Sequence, residues 1–247
     1  MRTIDINCDT GEGIGYDEQL MPYISSANIA CGYHAGDEKT MQQTVELCKK
    51  YNVAIGAHPS FPDREHFGRT DMLLPHDEVY ELVKKQIISL QKIANDNDTT
   101  VHHVKPHGAL YNMAARDRAL AAVIALAVKD ADSDLLLFGL SGSHLIKEAK
   151  NIGMKTVNET FADRTYNDDR SLASRSKPGS LIETADKAVA QVLQMVNEGT
   201  VTTISGKKVP IIAETVCVHG DGEHAIEFAK AIHQAFKENN FVIKARS

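Results

Sequence analysis

Seven short apolar runs recur along the 247-residue chain, each closing on a cluster of Gly, Asp or His and most followed by an amphipathic stretch. They are TIDINCDTGEG, ANIACGYHAGD, VAIGAHPS, VHHVKPHGAL, LLLFGLSGS, KTVNETFADR and IIAETVCVHGDG. Runs of this length, rich in small and β-branched residues and bounded by turn formers, predict strands. Between them, apolar positions fall at spacings of three and four, the period of one helix face. DEVYELVKKQIISLQKIA, RALAAVIALAVKD and HAIEFAKAIHQAF read this way, as do Leu181, Ala185, Ala188, Val189, Val192, Leu193 and Val196. Strands alternating with helices imply βαβ units and a parallel sheet.

The polar positions decide between an open and a closed sheet. In the first run Asp5, Asn7 and Asp9 alternate with Ile4, Ile6 and Cys8, so the two sets face opposite ways. A strand covered by helices on both faces is apolar throughout. One with a polar face fits a barrel whose interior opens into a site at the C-terminal rim. The expectation is an α/β fold: a seven-stranded parallel (β/α) barrel, TIM-barrel-like, in a single domain spanning 1–247. No GxGxxG opens the first helix, which removes the best marker of an open nucleotide-binding sheet. Two stretches break the rhythm. The polar segment 162–179 is too long for a plain connection and is expected to be functional or disordered. VTTISGKKVPI, 201–211, predicts a hairpin turning at Ser-Gly.

VHHVKPHGALYN, 101–112, places His103, Lys105 and His107 on one strand face. Each pair of residues advances about 6.6 Å, so His103 should lie deep in the barrel and Lys105 and His107 at its mouth. A lysine buried there needs an anion, and Asp9 is the candidate partner. On that basis Lys105→Met should abolish most turnover while leaving stability equal or improved, and His107→Ala should lose turnover too.

Composition narrows the chemistry. A net charge of −6 with no basic run argues against nucleic acid. No apolar stretch approaches 18 residues and the N-terminal run lacks a signal-peptide core, so no membrane role and a cytoplasmic location are expected. Cys8, Cys31, Cys48 and Cys217 show no CxxC spacing and are expected to be buried thiols. Cys31 lies near His34, but its place in the alternation disfavours a nucleophilic role. No GxxxxGK[ST] and no GxSxG occur.

The strand ends collect Asn7, Asp9 and Glu12; His34 and Asp37; His58; Lys105 and His107; Glu159, Asp163 and Arg164; and His219 and Asp221. Four histidines (34, 58, 107 and 219) each precede a Gly, Pro or Ala turn, which suits general acid–base chemistry on a carbonyl compound. Lys105 can hold a developing oxyanion or a phosphate. Asp9, His58 and His107 also form a possible divalent-metal set.

The blocks DINCDTGEG, SANIACGYHAGD, AIGAHPSFPD followed by FGR, HVKPHGALYN, FADRTY, RSKPG and VCVHGDGEHA resemble, in order and over essentially the whole chain, those of the LamB/YcsF family. Thr10 stands where the family commonly has Leu or Met, and positions 13 and 14 depart from its usual Ser-Phe, while Asn7, Asp9, Gly11 and Glu12 match. The resemblance implies a seven-stranded barrel related to glycoside hydrolase and polysaccharide deacetylase barrels. It also implies ATP-dependent opening of 5-oxo-L-proline to L-glutamate by a 5-oxoprolinase with two further subunits, B and C. For such a reaction the chemistry of the residues suggests Asp9, His58, Lys105 and His107 as catalytic, and Asn7, Glu12, His34, Asp163, Arg164 and His219 as substrate-binding. Arg164 is the expected grip on the substrate carboxylate, the alternative being an ion pair with Asp163 or Asp168. Two rival readings remain: a stand-alone metal-dependent amide hydrolase or deacetylase, and a non-catalytic lactam-binding subunit.

Overall fold

A computed structural model describes residues 2–220 and 224–247. Its strands are β1 (Arg2–Thr10), β2 (Ser26–Ala30), β3 (Ala54–His58), β4 (Val101–Val104), β5 (Leu136–Leu140), β6 (Thr156–Phe161), β7 (Thr200–Thr202), β8 (Lys208–Pro210), β9 (Thr215–Val218) and β10 (Phe241–Ile243). Strands β1 to β6 pair in parallel in chain order, β6 pairs with β9, and β9 pairs back onto β1, closing a seven-stranded barrel. All seven strands fall on the seven apolar runs. The unforeseen β10 pairs with β1 at Arg2, Thr3 and Ile4, the end of β1 opposite the site.

The alternation in β1 explains the closure. Ile4, Ile6 and Cys8 are buried in the apolar layer between barrel and helices, while Asp5, Asn7 and Asp9 are equally buried within hydrogen-bonded networks. Asp5 accepts from the hydroxyls of Ser25, Ser26 and Thr215 at 2.6 to 2.8 Å, which satisfies its oxygens deep in the chain. One level up, the Asn7 amide donates to Thr215 and accepts from Asn28. His103 is fully buried, bonded to Asn28 at 2.8 Å and stacked on Phe138, which is the deep position expected of it.

The helices pack with the predicted stripes inward. In His76–Asp96 the residues Val79, Val83, Ile87 and Leu90 are buried, each contributing about 1.5–3 kcal/mol relative to exposure. Asp117 caps Arg118–Ala131 by accepting from two backbone amides. The stripe around Val189 differs at its start: the helix begins at Ala185, and Leu181 instead bridges Arg164 in antiparallel fashion. The segment 162–179 is ordered by that bridge, by a second between Tyr166 and Leu172, and by Tyr166, whose buried hydroxyl accepts from the Phe161 amide. β7 and β8 form the expected antiparallel hairpin. The four cysteines are free and buried. Among the described residues no helix is long and apolar enough to cross a membrane.

Candidate active site

The C-terminal strand ends open into a cavity of about 810 Å³, lined by Asp9, His58, Lys105, His107, Arg164 and His219 among others. Parallel strands deliver their last residues to one rim, so six of the seven strand ends, that of β5 at Leu140 included, meet there.

Lys105 is the centre of its floor. Its ammonium lies 2.7 Å from an Asp9 oxygen and 3.2 Å from Glu159, donates to the Cys217 sulfur at 3.0 Å, and sits over the Phe161 ring. Burial alone would lower its pKa, but Asp9, Cys217 and Glu159 outweigh it and hold the amine well above its ordinary value. Burial would likewise raise Asp9, yet His58 and Lys105 hold its carboxyl well below the usual range. The two form a buried ion pair at the cavity floor. Tyr111, on the helix following β4, donates to the other Glu159 oxygen at 2.7 Å.

Beside this pair lies a histidine cluster. His58 Nε2 is 3.3 Å from Asp9 and 2.9 Å from His107 Nδ1. His34 stacks on His107 with centroids 3.8 Å apart, and its Nε2 faces Glu12 at 3.2 Å. The packing is tight enough to require glycine at 68, where φ is +67° and a Cβ would lie 2.8 Å from His107 and 2.9 Å from His34. Burial, chiefly, pushes His34 down to about 2 and His107 well below its ordinary value, so both rings are neutral. Glu12, His34, His58 and His107 each offer one ligand atom, all within 4.8 Å of one another.

The remaining sequence candidates take varied positions. His219 reaches the cavity, oriented by Asp163 at 2.7 Å and stacked on Phe161. Arg164 is buried, donates to the Ala173 carbonyl, keeps a buried Nε without a hydrogen-bond partner, and is pushed down to about 10 by burial. Asp168 pairs with Lys207 and Asp163 with His219. Asn7 lies below the cavity, 3.4 Å from the Lys105 ammonium. Glu12 and His34 stand with the histidine pair, and Asp9 is turned toward Lys105. Asp37 is not at the rim; it caps the helix Glu38–Tyr51 through Thr40. Asp221 lies outside the described residues. Sequence reasoning gave no role to Tyr111 or to Arg69, Lys147 and Arg170, which also line the cavity. The FGR and HVKPHGALYN blocks contain the first two of these, the only available signal for them.

Fold and site together define a seven-stranded (β/α) barrel carrying a buried lysine–carboxylate pair and a histidine–glutamate cluster at its C-terminal mouth. The LamB/YcsF family model matches residues 4–247, and the chain belongs to that family. It is 52% identical to the A subunit of 5-oxoprolinase from Shouchella clausii, over 99% of both chains. It superposes with a TM-score of 0.93 on a lactam utilization protein from Thermus thermophilus, at 41% identity, covering 99% of this chain and 100% of that one. A family 4 carbohydrate esterase from Streptomyces lividans shares the fold alone, with a TM-score of 0.55 at 11% identity over 100% of this chain and 93% of that one.

Proposed function

We propose that this chain is the A subunit of a cytoplasmic, ATP-dependent 5-oxoprolinase that opens 5-oxo-L-proline to L-glutamate together with subunits B and C. The names of its relatives support the reading, and the observation that carries it is the ionised Lys105–Asp9 pair on the floor of the cavity. A five-membered lactam is a stable amide. Transfer of a phosphoryl group from ATP to the lactam oxygen makes the ring carbon electrophilic. Water then adds to that carbon, the ring C–N bond breaks as the nitrogen takes up a proton to leave a γ-acyl phosphate, and a second water hydrolyses this acyl phosphate to carboxylate and phosphate. Lys105 meets the negative charge on the phosphoryl or lactam oxygen. Asp9 receives the proton of the attacking water, while His58 and His107 fix where that water sits. Arg164, with its unpartnered Nε, holds the substrate carboxylate, and His219 on Asp163 closes the opposite wall.

With no P-loop motif in the chain, partner dependence is expected. The purified chain given 5-oxoproline and ATP should form little glutamate, and adding B and C should restore it. Full turnover by the chain alone would overturn the three-subunit reading. The Glu12, His34, His58 and His107 cluster favours one second reading, a metal-dependent amide hydrolase acting without ATP. Zinc-supplemented chain cleaving an N-acetylated sugar in the absence of ATP would establish it.

A further inference from the structure

The hydrogen bonds around the histidine cluster turn one nitrogen of each ring inward. His58 Nδ1 faces the Lys105 carbonyl oxygen at 2.6 Å, and His107 Nε2 faces the Phe67 carbonyl oxygen at 2.8 Å. A carbonyl oxygen only accepts, so both of these nitrogens carry the N–H. The other two nitrogens, His58 Nε2 and His107 Nδ1, face each other at 2.9 Å, with an Asp9 oxygen 3.3 Å from His58 Nε2. The third ring repeats the pattern. His34 Nδ1 lies 2.8 Å from the Ser60 hydroxyl, which itself donates to the Phe61 carbonyl, and His34 Nε2 faces a Glu12 carboxylate oxygen at 3.2 Å. Three ring nitrogens and a carboxylate oxygen thus gather within 4.8 Å of one another, a donor set that a single cation can join.

We infer that Glu12, His34, His58 and His107 form the ligand set of a resident divalent transition-metal ion of the zinc class. Three imidazoles and one carboxylate suit such an ion better than magnesium or calcium, which prefer oxygen donors. A tetrahedron with bonds of about 2.0–2.1 Å has edges of about 3.3 Å. Three of its six edges are 2.9 Å (His58 to His107), 3.2 Å (His34 to Glu12) and 3.7 Å (His107 to Glu12), which bracket that value, and all four ligand atoms lie within 4.8 Å of one another. Each histidine donates its far N–H to a carbonyl or hydroxyl oxygen, the support that fixes tautomer and ring orientation in metal sites. The set shares His58 and His107 with the trio expected from sequence and takes Glu12 and His34 in place of Asp9, whose Oδ1 is engaged by Lys105 and Asn28. An ion here would polarise a substrate oxygen or acidify water next to Asp9. The inference rests on side-chain geometry and stands independently of the lactam chemistry.

The test is binding, read without turnover. Full-length chain stripped with chelator is titrated with cobalt(II) and with zinc, followed by calorimetry and by the visible absorption of tetrahedral cobalt. One ion per chain is expected, with the intense tetrahedral spectrum. His34→Ala and Glu12→Gln should each weaken binding by at least about 10-fold and alter that spectrum. Circular dichroism confirms folding, and Glu12→Gln, nearly isosteric and on a loop, carries the result should His34→Ala fail to fold. Absence of stoichiometric binding of either ion, or binding and spectrum unchanged in Glu12→Gln, would overturn the site.

Discussion

Lys105 lies between two carboxylates, Asp9 at 2.7 Å and Glu159 at 3.2 Å, and that second partner changes what its removal should do. With one partner, deleting the lysine would simply remove a buried charge, and the sequence suggested equal or improved stability for Lys105→Met. With two, the deletion leaves both Asp9 and Glu159 buried without the ammonium that each contacts. Stripping one member from a buried ion pair costs about 3–5 kcal/mol, moderated here if one carboxyl takes up a proton. Lys105→Met should therefore abolish turnover and lower the melting temperature, whereas Asp9→Asn leaves Lys105 paired with Glu159. Asp9→Asn should cost roughly 100-fold in turnover with a much smaller thermal shift. Melting curves and reconstituted glutamate formation on both variants check this, and a Lys105→Met protein melting no lower than Asp9→Asn would refute it. The Lys105–Asp9 contact was legible because strand periodicity and strand-end position put both inside the rim. Glu159 was also visible at a strand end, but its contact with Lys105 depends on the angle between β4 and β6 around the barrel, which no local pattern encodes.

At the level of elements, β3 and β4 are fitted to one another by a single missing side chain. A Cβ at Gly56 would lie 2.1 Å from His103 Nε2, the atom that bonds Asn28. Gly56→Ala should push the His103 ring off Asn28 and Phe138 and destabilise the protein by about 1–3 kcal/mol, the usual range for overpacking a core. Chemical denaturation measures it, and an unchanged midpoint would show that β4 shifts freely. The seven strands were readable because each pairs period-two alternation with a terminal turn cluster. Two elements were not. β10, three residues long, shows no period, and its strand character comes from pairing with β1. The false start at Leu181 arose because that residue continues the helical spacing, while its backbone is committed to Arg164 across the mouth. In the same way Glu12 and His34 were placed at the rim correctly, but their company could not be read. It depends on two loops folding over each other against Gly68, and contacts between loops leave no period in a sequence.

The whole molecule carries a net charge of −6, yet Arg69, Arg116, Lys147, Arg170, Arg175 and Lys177 all line the cavity. Against them, among the described residues, the opening holds only Asp71, paired with Arg116, and Asp169, so the charge around it is basic while the molecule as a whole is acidic. A small anion approaching from most directions is turned away, and over the opening it is drawn in, so capture is guided before any contact forms. Because the guiding field extends only as far as ions in solution allow, about 10 Å at 0.1 M salt and about 3 Å at 1 M, it is the encounter that salt should erode. In the reconstituted enzyme, kcat/KM should fall steadily as inert salt is added while kcat stays nearly level. A kcat that fell in parallel would place the salt effect on the chemistry or on assembly instead. The arrangement makes the opening a selective funnel, one whose reach is set by the medium around the protein as much as by the protein itself.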